Sequence, residues 1–182
     1  MGFEYATWDA WIMKRTLPSD KFLQAGPACD VVMVTCVDAE GRANIITLGM
    51  YMPISFDPCL VCIGVSPKRY SHDLIAEAGE FVVNAPSIDL EEETHLCGTA
   101  SGRNVDKFAE TGLTPAPASR VKPPLIKECF GHLECRVVES YVCGDHTLFV
   151  GEVLTASADA EVLSGDDLSP LKARPIIQKN HI

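Results

Sequence analysis

Short apolar runs separated by turn residues dominate the chain between residues 31 and 154. Residues 31–37 are apolar at nearly every position, and a second mostly apolar run at 42–48 follows the turn sequence Asp-Ala-Glu-Gly. This order predicts an antiparallel hairpin. Further strands are predicted at residues 59–65, 80–84, 133–137 and 147–154. Glu134 and Arg136 alternate with apolar residues, which predicts that one face of their strand is exposed to solvent.

Three short segments carry helix signals instead. Residues 71–78 start at Ser71, a suitable N-cap, and stop before Gly79. Residues 89–96 begin with acidic residues that suit the helix dipole, and residues 106–110 form a short helical turn that is closed by a glycine. Because the strands are many and short and the helices are few, the pattern favours a β-barrel over a doubly wound sheet.

These elements predict a mainly β protein with a few short helices, built as a single domain over residues 1–182. The barrel covers about residues 28–158. Before it lies a lead-in that contains Tyr5, Trp8 and Trp11. The tail at 159–182 is polar and broken by proline, and it either crosses to a partner subunit or frays.

The bulk properties exclude several classes of protein. With 182 residues and 47% apolar composition, the chain is large enough to bury a core. Its formal net charge is −10, which argues against binding to nucleic acid or to an anionic membrane. The apolar runs are too short to span a bilayer, and the N-terminus lacks the pattern of a signal peptide. We therefore expect a soluble, cytoplasmic protein with no nucleic-acid or membrane partner.

Eight cysteines raise the question of a metal or redox site. Cys59 and Cys62 have CxxC spacing, but they lie in a predicted strand, where residues three apart point to opposite faces. No second pair completes a zinc site of the usual spacing, and a reducing compartment disfavours structural disulfides. We therefore interpret the cysteines as small apolar core residues and predict no metal site.

Two clusters of cations and hydroxyls distinguish this otherwise acidic chain. The first lies between a predicted strand and a helix N-terminus, where backbone N–H groups and the helix dipole favour an anion; it consists of Ser66, Lys68, Arg69 and Ser71. The second consists of Ser101, Arg103 and Lys107. Together they favour capture of a phosphorylated, planar cofactor. The alternatives are a solvated loop for the first cluster and a surface ion pair of Asp106 with Lys107 for the second.

Other polar residues lie near predicted strand ends. Asn44, Thr47 and Ser55 have donors and acceptors that suit a ring edge with carbonyl and imide groups, and Asn44 and Thr47 would equally satisfy local backbone groups. His146 follows Gly144-Asp145 at a strand start and is either functional or an ordinary surface residue. The Rossmann, P-loop, GxSxG and HExxH fingerprints are absent.

In their order, these segments resemble the flavin reductase-like family that includes flavoredoxin, an FMN-binding split barrel. The resemblance covers about residues 28–155. It is carried by Val34-Thr35 with Asp38 and Gly41, Asn44 with Thr47, Pro53 with Ser55 and Asp57-Pro58, Arg69-Tyr70-Ser71-His72 with Leu74-Ile75, residues 79–84 (GEFVVN), Cys97-Gly98, Ser101-Gly102-Arg103, Asp106-Lys107-Phe108, Leu133-Glu134-Cys135, Gly144-Asp145-His146 and Gly151-Glu152-Val153. Each motif is weak by itself, and their order makes the match specific.

The resemblance implies a homodimer with FMN at or near the subunit interface. Residues that line the ring and ribityl chain would be Asn44, Thr47 and Ser55, with Leu48 and Gly49 where many relatives carry an aromatic residue. Residues that hold the phosphate would be Ser66, Arg69, Tyr70 and Ser71, approached from a loop by Ser101, Arg103 and Lys107. His146 would lie near the nicotinamide, as an orienting or proton-handling group.

The resemblance also implies an oxidoreductase in which NAD(P)H passes a hydride to FMN, and electrons then go to a flavin, ferric or protein acceptor. The alternative is a flavoredoxin-type FMN electron carrier without NAD(P)H activity of its own, which docks to a redox partner protein. A third hypothesis is a barrel that has lost its flavin. The sequence leaves open the choice between NADH and NADPH, the final acceptor, and whether FMN is prosthetic or exchangeable.

Overall fold

Seven antiparallel strands build the main sheet of the computed structural model, which describes residues 16–24 and 26–178. The strands are β1 (Val32–Val37), β2 (Ala43–Leu48), β3 (Tyr51–Phe56), β4 (Cys59–Val65), β5 (Glu80–Ala85), β6 (Gly131–Cys143) and β7 (His146–Ala158). Their spatial order is β2-β1-β5-β6-β7-β4-β3. The aromatic residues of the lead-in, Tyr5, Trp8 and Trp11, lie outside the described residues.

The connection between the two edge strands requires the sheet to curl into a barrel. β2 and β3 form opposite edges, yet only Gly49 and Met50 separate them in the chain. In a flat sheet, six strand spacings would part the edges by about 29 Å. The step from Leu48 to Tyr51 spans at most about 11 Å. A hydrogen bond from the Gly64 N–H of β4 to the Met50 carbonyl, 2.9 Å long, holds this corner.

The interior of the barrel contains the main hydrophobic core. Val34, Ile63 and Phe81 contribute fully buried side chains from three different strands. A Cβ atom on Gly151 would lie 2.5 Å from Cζ of Phe81, so the aromatic ring occupies the space that a larger residue would need. The core is therefore packed tightly against β7.

Helices cover the barrel on the side of β1 and β2. α1 (Tyr70–Ala78) adds Leu74 and Ile75 to the main core. α2 (Glu91–Thr99) and α3 (Lys107–Thr111) contact β2. A second apolar cluster lies there, formed by Met33, Ile45, Cys97, Leu113, Ile126 and Cys129.

Short elements organise the loops and the C-terminal segment. Two-residue strands pair Cys29–Asp30 with Ile177–Gln178, Pro115–Ala116 with Leu125–Ile126, and Leu163–Ser164 with Asp167–Leu168. The 3₁₀ turns are Ser19–Gln24, Ile88–Leu90 and Ala160–Val162, and α4 is Pro170–Ala173. Among the described residues, none of the helices combines the length and the apolar character that crossing a bilayer requires.

The mainly β barrel and its N-terminal hairpin are confirmed. β1 pairs with β2 in antiparallel register, with Val34 opposite Ile46.

The interpretation of the cysteines as core residues holds for Cys62, which is buried in β4, but is wrong for Cys59 at the start of that strand and for Cys143, which are both exposed, and for the half-buried Cys29. In the part of the chain that the structure describes, no three His, Cys, Asp or Glu residues form a group that could hold a metal ion.

Several details of the sequence interpretation are wrong. β3 was not predicted because Pro53 interrupts its pattern, and an edge strand tolerates proline. α1 begins one residue earlier than predicted, with Arg69 as N-cap, so Ser71 is a buried helical residue. The alternation in β6 does not expose Glu134, which is 5% exposed because the loop around Ser119 covers it.

The tail also differs from the prediction of a crossing or fraying segment. Its described part folds back onto the same chain, where Ile177–Gln178 pairs with Cys29–Asp30. Backbone bonds from Val31 to the Ile176 carbonyl (3.0 Å) and from Ile88 to the Arg174 carbonyl (2.8 Å) fix its course. These backbone partners lie far from the tail in the sequence, so the composition of the tail did not indicate them.

Candidate functional site

A narrow cleft of about 110 Å³ lies where the N-terminal end of α1 meets β2 and the loop at residues 100–106. Six of the residues predicted to bind a cofactor line it: Asn44, Arg69, Tyr70, Ser71, Ser101 and Lys107. The other walls come from Ile46, Lys68, Cys97, Gly98, Ala100 and Gly102. The fold thus joins the two clusters of cations and hydroxyls that the sequence separates.

One wall of the cleft is a close contact between β2, α1 and the loop. Asn44 Nδ2 donates to Ser71 Oγ over 2.7 Å, and both side chains are buried. A Cβ atom on Gly102 would lie 2.0 Å from Asn44 Oδ1, so any larger residue would collide with the amide. Glycine at position 102 therefore allows the loop backbone to approach the strand this closely.

Lys107 places a cation at the base of the cleft. Its side chain is 5% exposed, and Nζ donates to the carbonyls of Ile45 (2.6 Å) and Cys97 (2.7 Å). Within the described residues these two carbonyls are its hydrogen-bond partners, and an ammonium has three N–H groups. Burial lowers the pKa of Lys107, since desolvation disfavours the charged form. An anion in the cleft would counter that cost.

The predicted alternative for Lys107, a surface ion pair with Asp106, is wrong. Asp106 instead caps α3, where its carboxylate accepts a hydrogen bond from the Ala109 N–H over 3.2 Å. The Lys107 side chain points into the protein. The two neighbours therefore have separate roles, one at the helix end and one in the cleft.

The thiols near Lys107 are not activated. Burial raises the pKa of Cys36 to about 12 and that of Cys97 to about 11. Both side chains are buried and remain protonated at neutral pH. This agrees with the interpretation of these cysteines as core residues.

Ser66 and Arg69 lie on the turn that joins β4 to α1. The Arg69 N–H donates to the Ser66 carbonyl over 2.9 Å, which closes the turn. Arg69 has extended backbone angles, and its side chain makes no capping hydrogen bond to the helix. The first-turn N–H groups of α1 therefore lie at the cleft without a side-chain cap from the N-cap residue.

A chain of polar contacts fastens the loop at 100–106 to α1 and β7. Arg103 Nη2 donates to Asp73 Oδ2 over 3.0 Å, and its guanidinium carbon lies 5.1 Å from the centre of the Tyr70 ring. Asp73 Oδ1 lies 3.3 Å from His72 Nδ1, and His72 Nε2 lies 2.9 Å from Thr147 Oγ1. Arg103 thus lies over the ring of Tyr70, which lines the cleft, although Arg103 itself is not part of the cleft lining.

A second, larger cavity of about 640 Å³ adjoins the cleft. Tyr70 and Gly102 line both cavities, so the two share a wall. The other lining residues are Asp38, Arg42, Ala43, Arg103, Asn104, Val105, Asp106, Phe108 and Pro115.

Other predicted site residues do not line either cavity. Thr47 Oγ1 donates to the Thr94 carbonyl over 2.6 Å, and Leu48 is packed in the barrel core. Gly49 lies at the corner between β2 and β3, and Ser55 is half-buried on the edge strand. Ser66, at the end of β4, also lies outside the lining.

His146 lies at the start of β7, apart from the cleft lining. Its Nδ1 is 2.8 Å from Asp145 Oδ1, and its side chain is 25% exposed. The hydrogen bond from His146 lowers the pKa of Asp145. The pair keeps one ring nitrogen engaged and leaves the orientation of the imidazole defined.

The sequence interpretation missed several residues around the cleft. Lys68 was named in the first cluster of cations and hydroxyls but was not included among the cofactor-binding residues, and Gly102 separates two residues that were included. Ile46 had no distinguishing signal because it reads as an ordinary core residue. Asp73 and His72 were missed because their roles depend on contacts with Arg103 and Thr147 from distant segments.

The cleft fits the phosphate end of FMN. It offers the buried Lys107 ammonium, the exposed Arg69 and the hydroxyl of Ser71 within one lining. These groups match the charge and acceptor atoms of a phosphate. The volume of about 110 Å³ is below the roughly 300–1,000 Å³ of pockets that enclose a whole small ligand, so the cleft alone is too small for a whole FMN molecule.

Comparison with known proteins identifies the fold. The profile described as "Flavin reductase like domain" matches residues 28–171. An uncharacterized protein of Archaeoglobus fulgidus is 45% identical over 118 residues, which cover 65% of this chain and 67% of that protein. The NADH:riboflavin 5'-phosphate oxidoreductase of Streptomyces pristinaespiralis is 29% identical over 143 residues, which cover 79% and 75%.

A solved structure gives the same answer. The crystal structure of flavoredoxin from Methanosarcina acetivorans is similar with a TM-score of 0.80 and 31% identity, covering 91% of this chain and 86% of that one. The chain therefore belongs to the flavin reductase-like family, and its barrel is a split barrel.

Proposed function

We propose that the protein holds FMN, with the phosphate in the cleft around Lys107, and works as an NAD(P)H-dependent flavin reductase-like oxidoreductase. The observation that carries this proposal is the buried Lys107 ammonium, which has two carbonyl partners at the base of the cleft. A buried charge is costly unless it is paired and hydrogen-bonded, and a phosphate would complete its surroundings. The name of the Streptomyces relative, an NADH:riboflavin 5'-phosphate oxidoreductase, supports this choice of ligands.

The proposed phosphate ligands surround the cleft and its rim: Ser66, Arg69, Tyr70, Ser71, Ser101, Arg103 and Lys107. From Asn44, the ligand would run along β2 toward Thr47, Leu48 and Gly49. The side chains of Thr47 and Leu48 are engaged in the interior. These positions would therefore meet the ring through their backbone N–H and C=O groups.

When bound, FMN would accept a hydride from a nicotinamide and pass electrons to an acceptor. The protein would orient the reactants and exclude water. His146 is the proposed orienting residue, because its bond to Asp145 holds Nδ1 and presents Nε2 as the second functional nitrogen. An unchanged hydride-transfer rate in His146→Ala would exclude this role.

We also propose a homodimer that covers the outer face of β3, β4, β7 and β6. Met50, Leu148 and Tyr141 lie side by side around Gly64 on this face. Met50 is 49% and Tyr141 55% exposed, and Phe56 on the edge strand is 93% exposed. Contiguous large apolar side chains on a sheet surface usually mark an interface.

A second copy would also solve the problem of the small cleft. One chain offers about 110 Å³ at the phosphate site. Ser55 lies on β3, at the edge of the exposed apolar face and not in the cleft lining. In a dimer, Ser55 would reach the flavin of the partner copy or complete its own site beside the partner. Met52 lies on β3 and is 51% exposed. The substitution Met52→Glu is expected to yield monomers in light scattering, and a Met52→Glu protein that stays dimeric would contradict this interface.

The second candidate function is a flavoredoxin-type electron carrier. The 31% identity to flavoredoxin over 91% of the chain favours it. The net charge of −10 would suit docking to a basic surface of a redox protein. In this case the protein would bind FMN in the same cleft without reacting with NAD(P)H.

An absorbance spectrum of the FMN-reconstituted protein tests both candidates. The protein is titrated without oxygen, first with NADH and then with NADPH. Bleaching of the flavin band supports the reductase and identifies its donor. A flavin that bleaches only with a reduced iron–sulfur protein supports the carrier, and failure to bind FMN overturns both.

A further inference from the structure

Four polar side chains connect the loop at 100–106 with the start of β7, and together they form what we call the relay. They are Arg103, Asp73, His72 and Thr147, in that order. At one end, Arg103 belongs to the loop that forms a wall of the phosphate cleft. At the other end, Thr147 directly follows His146 in β7. The relay therefore joins the regions that the proposed function assigns to the phosphate and to the nicotinamide.

The chemistry of the relay assigns the protons of the imidazole. The Asp73 carboxylate only accepts hydrogen bonds, so the His72 nitrogen that faces it, Nδ1 at 3.3 Å, carries a proton. In the neutral imidazole Nε2 is then an acceptor, and the Thr147 hydroxyl, 2.9 Å away, donates to it. The orientation of the imidazole is thus defined from both sides.

The two halves of the relay differ in burial. Arg103 and Asp73 are 46% and 51% exposed, and solvent weakens such an ion pair. The side chain of His72 is 19% exposed, and its ring lies edge-on to Phe149 with the ring centroids 5.4 Å apart. Thr147 and Phe149 are buried. The outer half can therefore follow movements of the loop, whereas the core holds the inner half in place.

Thr147 lies where a contact can be transmitted to His146. The pairing of β7 with β4 starts at Thr147, which lies opposite Val65. Neighbouring residues of a strand point to opposite faces, so Thr147 faces His72 while the His146 side chain projects from the other face. The hydrogen bond to His72 therefore acts one position after His146 and restrains the backbone that carries its imidazole.

We propose that His72 is a positioning residue that links His146 to the loop at 100–106. It acts on His146 through Thr147 and on the loop through Asp73. This inference rests on the proposed function, which places the phosphate beside the loop and the nicotinamide at His146. A phosphate that fixes the loop thereby fixes the histidine that orients the nicotinamide. Because coupling between two sites is reciprocal, a nicotinamide at His146 also restrains the loop.

His72→Leu is the variant that interrupts the relay, and His132→Leu is its matched control. Both histidines are partly buried, and both ring nitrogens of each have a partner. Those of His132 are the Ile126 carbonyl (2.9 Å) and the Ser157 hydroxyl (3.4 Å), at the opposite end of the β6–β7 pair. His72→Gln is the conservative variant, because its amide can replace Nε2 at the Thr147 hydroxyl but provides no group at the position of Nδ1.

The first measurement is the NMR signal of the His146 imidazole, identified by its loss in His146→Ala. It is recorded on the full-length protein at one fixed pH, with FMN bound and again without it. Arg103→Leu breaks the outer end of the relay, and we expect it to shift the His146 signal. This response should disappear in a His72→Leu background and persist in a His132→Leu background. A His146 signal that Arg103→Leu leaves in place, or that responds equally in the His72→Leu background, overturns the proposal.

The second measurement is the rate of flavin bleaching after anaerobic mixing with saturating nicotinamide. His72→Leu should lower the hydride-transfer rate about tenfold, since a small misplacement of a positioned group is costly. His72→Gln should restore most of the rate, and His132→Leu should leave it unchanged. In a His146→Ala background, His72→Leu should have no further effect, because it acts through His146. An unchanged rate in His72→Leu, or the same loss in both backgrounds, overturns the positioning role.

Failure of the proposed function gives a different result from failure of the relay. A protein that binds no FMN, or whose flavin bleaches with neither NADH nor NADPH, is not the proposed reductase. The response of the His146 signal to Arg103→Leu in the flavin-free protein then decides by itself whether His72 links His146 to the loop.

Discussion

Glu134 and Lys107 are two buried charged residues that differ in how well their hydrogen bonds offset burial. Glu134 accepts hydrogen bonds from the Ser119 hydroxyl (2.9 Å) and the backbone N–H groups of Ser119 (3.0 Å) and Arg120 (2.6 Å). Desolvation would raise the pKa of Glu134, but these bonds outweigh it and lower the pKa. For Lys107, burial prevails over its partners and lowers the pKa.

For a carboxylate a lowered pKa means a stabilised charge, whereas for an ammonium it means a destabilised one. The carboxylate of Glu134 is thus fully hydrogen-bonded by the protein's own loop. Lys107 lies in a cleft lining and lacks an anionic partner among its hydrogen-bond acceptors, which are both carbonyls. The comparison teaches that burial alone does not mark a functional charge. A functional charge is marked by incomplete pairing at an accessible surface.

The largest expected effect is on stability, in Glu134→Ala. The substitution leaves the N–H groups of Ser119 and Arg120 without their acceptor, which should lower the free energy of unfolding by about 3 kcal/mol. FMN affinity of the folded protein should not change. Glu139→Ala, an exposed position on the same strand, is the control and should stay within about 0.5 kcal/mol of wild type. Guanidinium unfolding measures both, and equal stability of the two variants would remove the structural role of Glu134.

Lys107→Met is expected to change FMN affinity, the property that Glu134→Ala should leave unchanged. Loss of a charged hydrogen-bond donor should weaken FMN binding about 30-fold, equivalent to about 2 kcal/mol. Lys172→Met is the matched control, since Lys172 Nζ also donates to a backbone carbonyl, that of Leu163 at 2.6 Å, but lies exposed and outside the cleft lining. Quenching of flavin fluorescence gives both affinities. If the two lysine variants bind FMN equally well, Lys107 is structural, like Glu134.

A smaller effect on the cleft is expected for Gly102→Ala. The new methyl group would meet Asn44 Oδ1 and displace either the amide or the loop, at a cost of about 1–2 kcal/mol that should appear as roughly tenfold weaker FMN binding. Gly131→Ala serves as control because its Cβ would meet its nearest neighbours at 3.7 Å, an ordinary contact. Unchanged FMN affinity in Gly102→Ala would show that the loop does not hold the phosphate.

The sequence predicted the barrel well because its strands carry strong, local apolar patterns. β1 and β4 are nearly all apolar, and β5 has an apolar centre at Phe81–Val83. β3 escaped prediction because Pro53 and its exposed apolar residues fit no half-buried pattern. Such an edge strand is understood only from its neighbours in the sheet.

The candidate site could be predicted in outline but not in its burial. The clusters around Arg69 and Ser101 were recognisable from their composition, and the fold brings both to one cleft. The sequence gives no sign that Lys107 is buried while its neighbour Asp106 is exposed, because that difference depends on packing of α3 against β2. Likewise, Glu134 reads as a solvent-facing residue until the distant loop at Ser119 is placed over it.

The smallest expected effect is the pH dependence that Glu134 contributes. Its pKa is lowered in the folded protein, so its stabilising contribution is present above the ordinary value of 4.5 and is lost as pH falls through the lowered pKa. The difference in unfolding free energy between wild type and Glu134→Gln should therefore narrow below pH 4.5, by a fraction of the about 1.4 kcal/mol per pH unit that one proton can produce. Lowered pKa values at other carboxyls, such as Asp38, are common to both proteins and cancel in the difference.

Glu128 provides the matched variant for this acid titration. Hydrogen bonding from the Thr114 N–H (3.0 Å) outweighs desolvation and lowers its pKa too, but its side chain is exposed, so solvent screens the interaction. In unfolding experiments between pH 3 and pH 6, the difference in unfolding free energy between wild type and variant should therefore narrow less for Glu128→Gln than for Glu134→Gln. Equal narrowing in the two variants would mean that the loop over Glu134 does not shield its carboxylate. The contrast with Lys107 would then rest on the number of hydrogen bonds alone and not on burial.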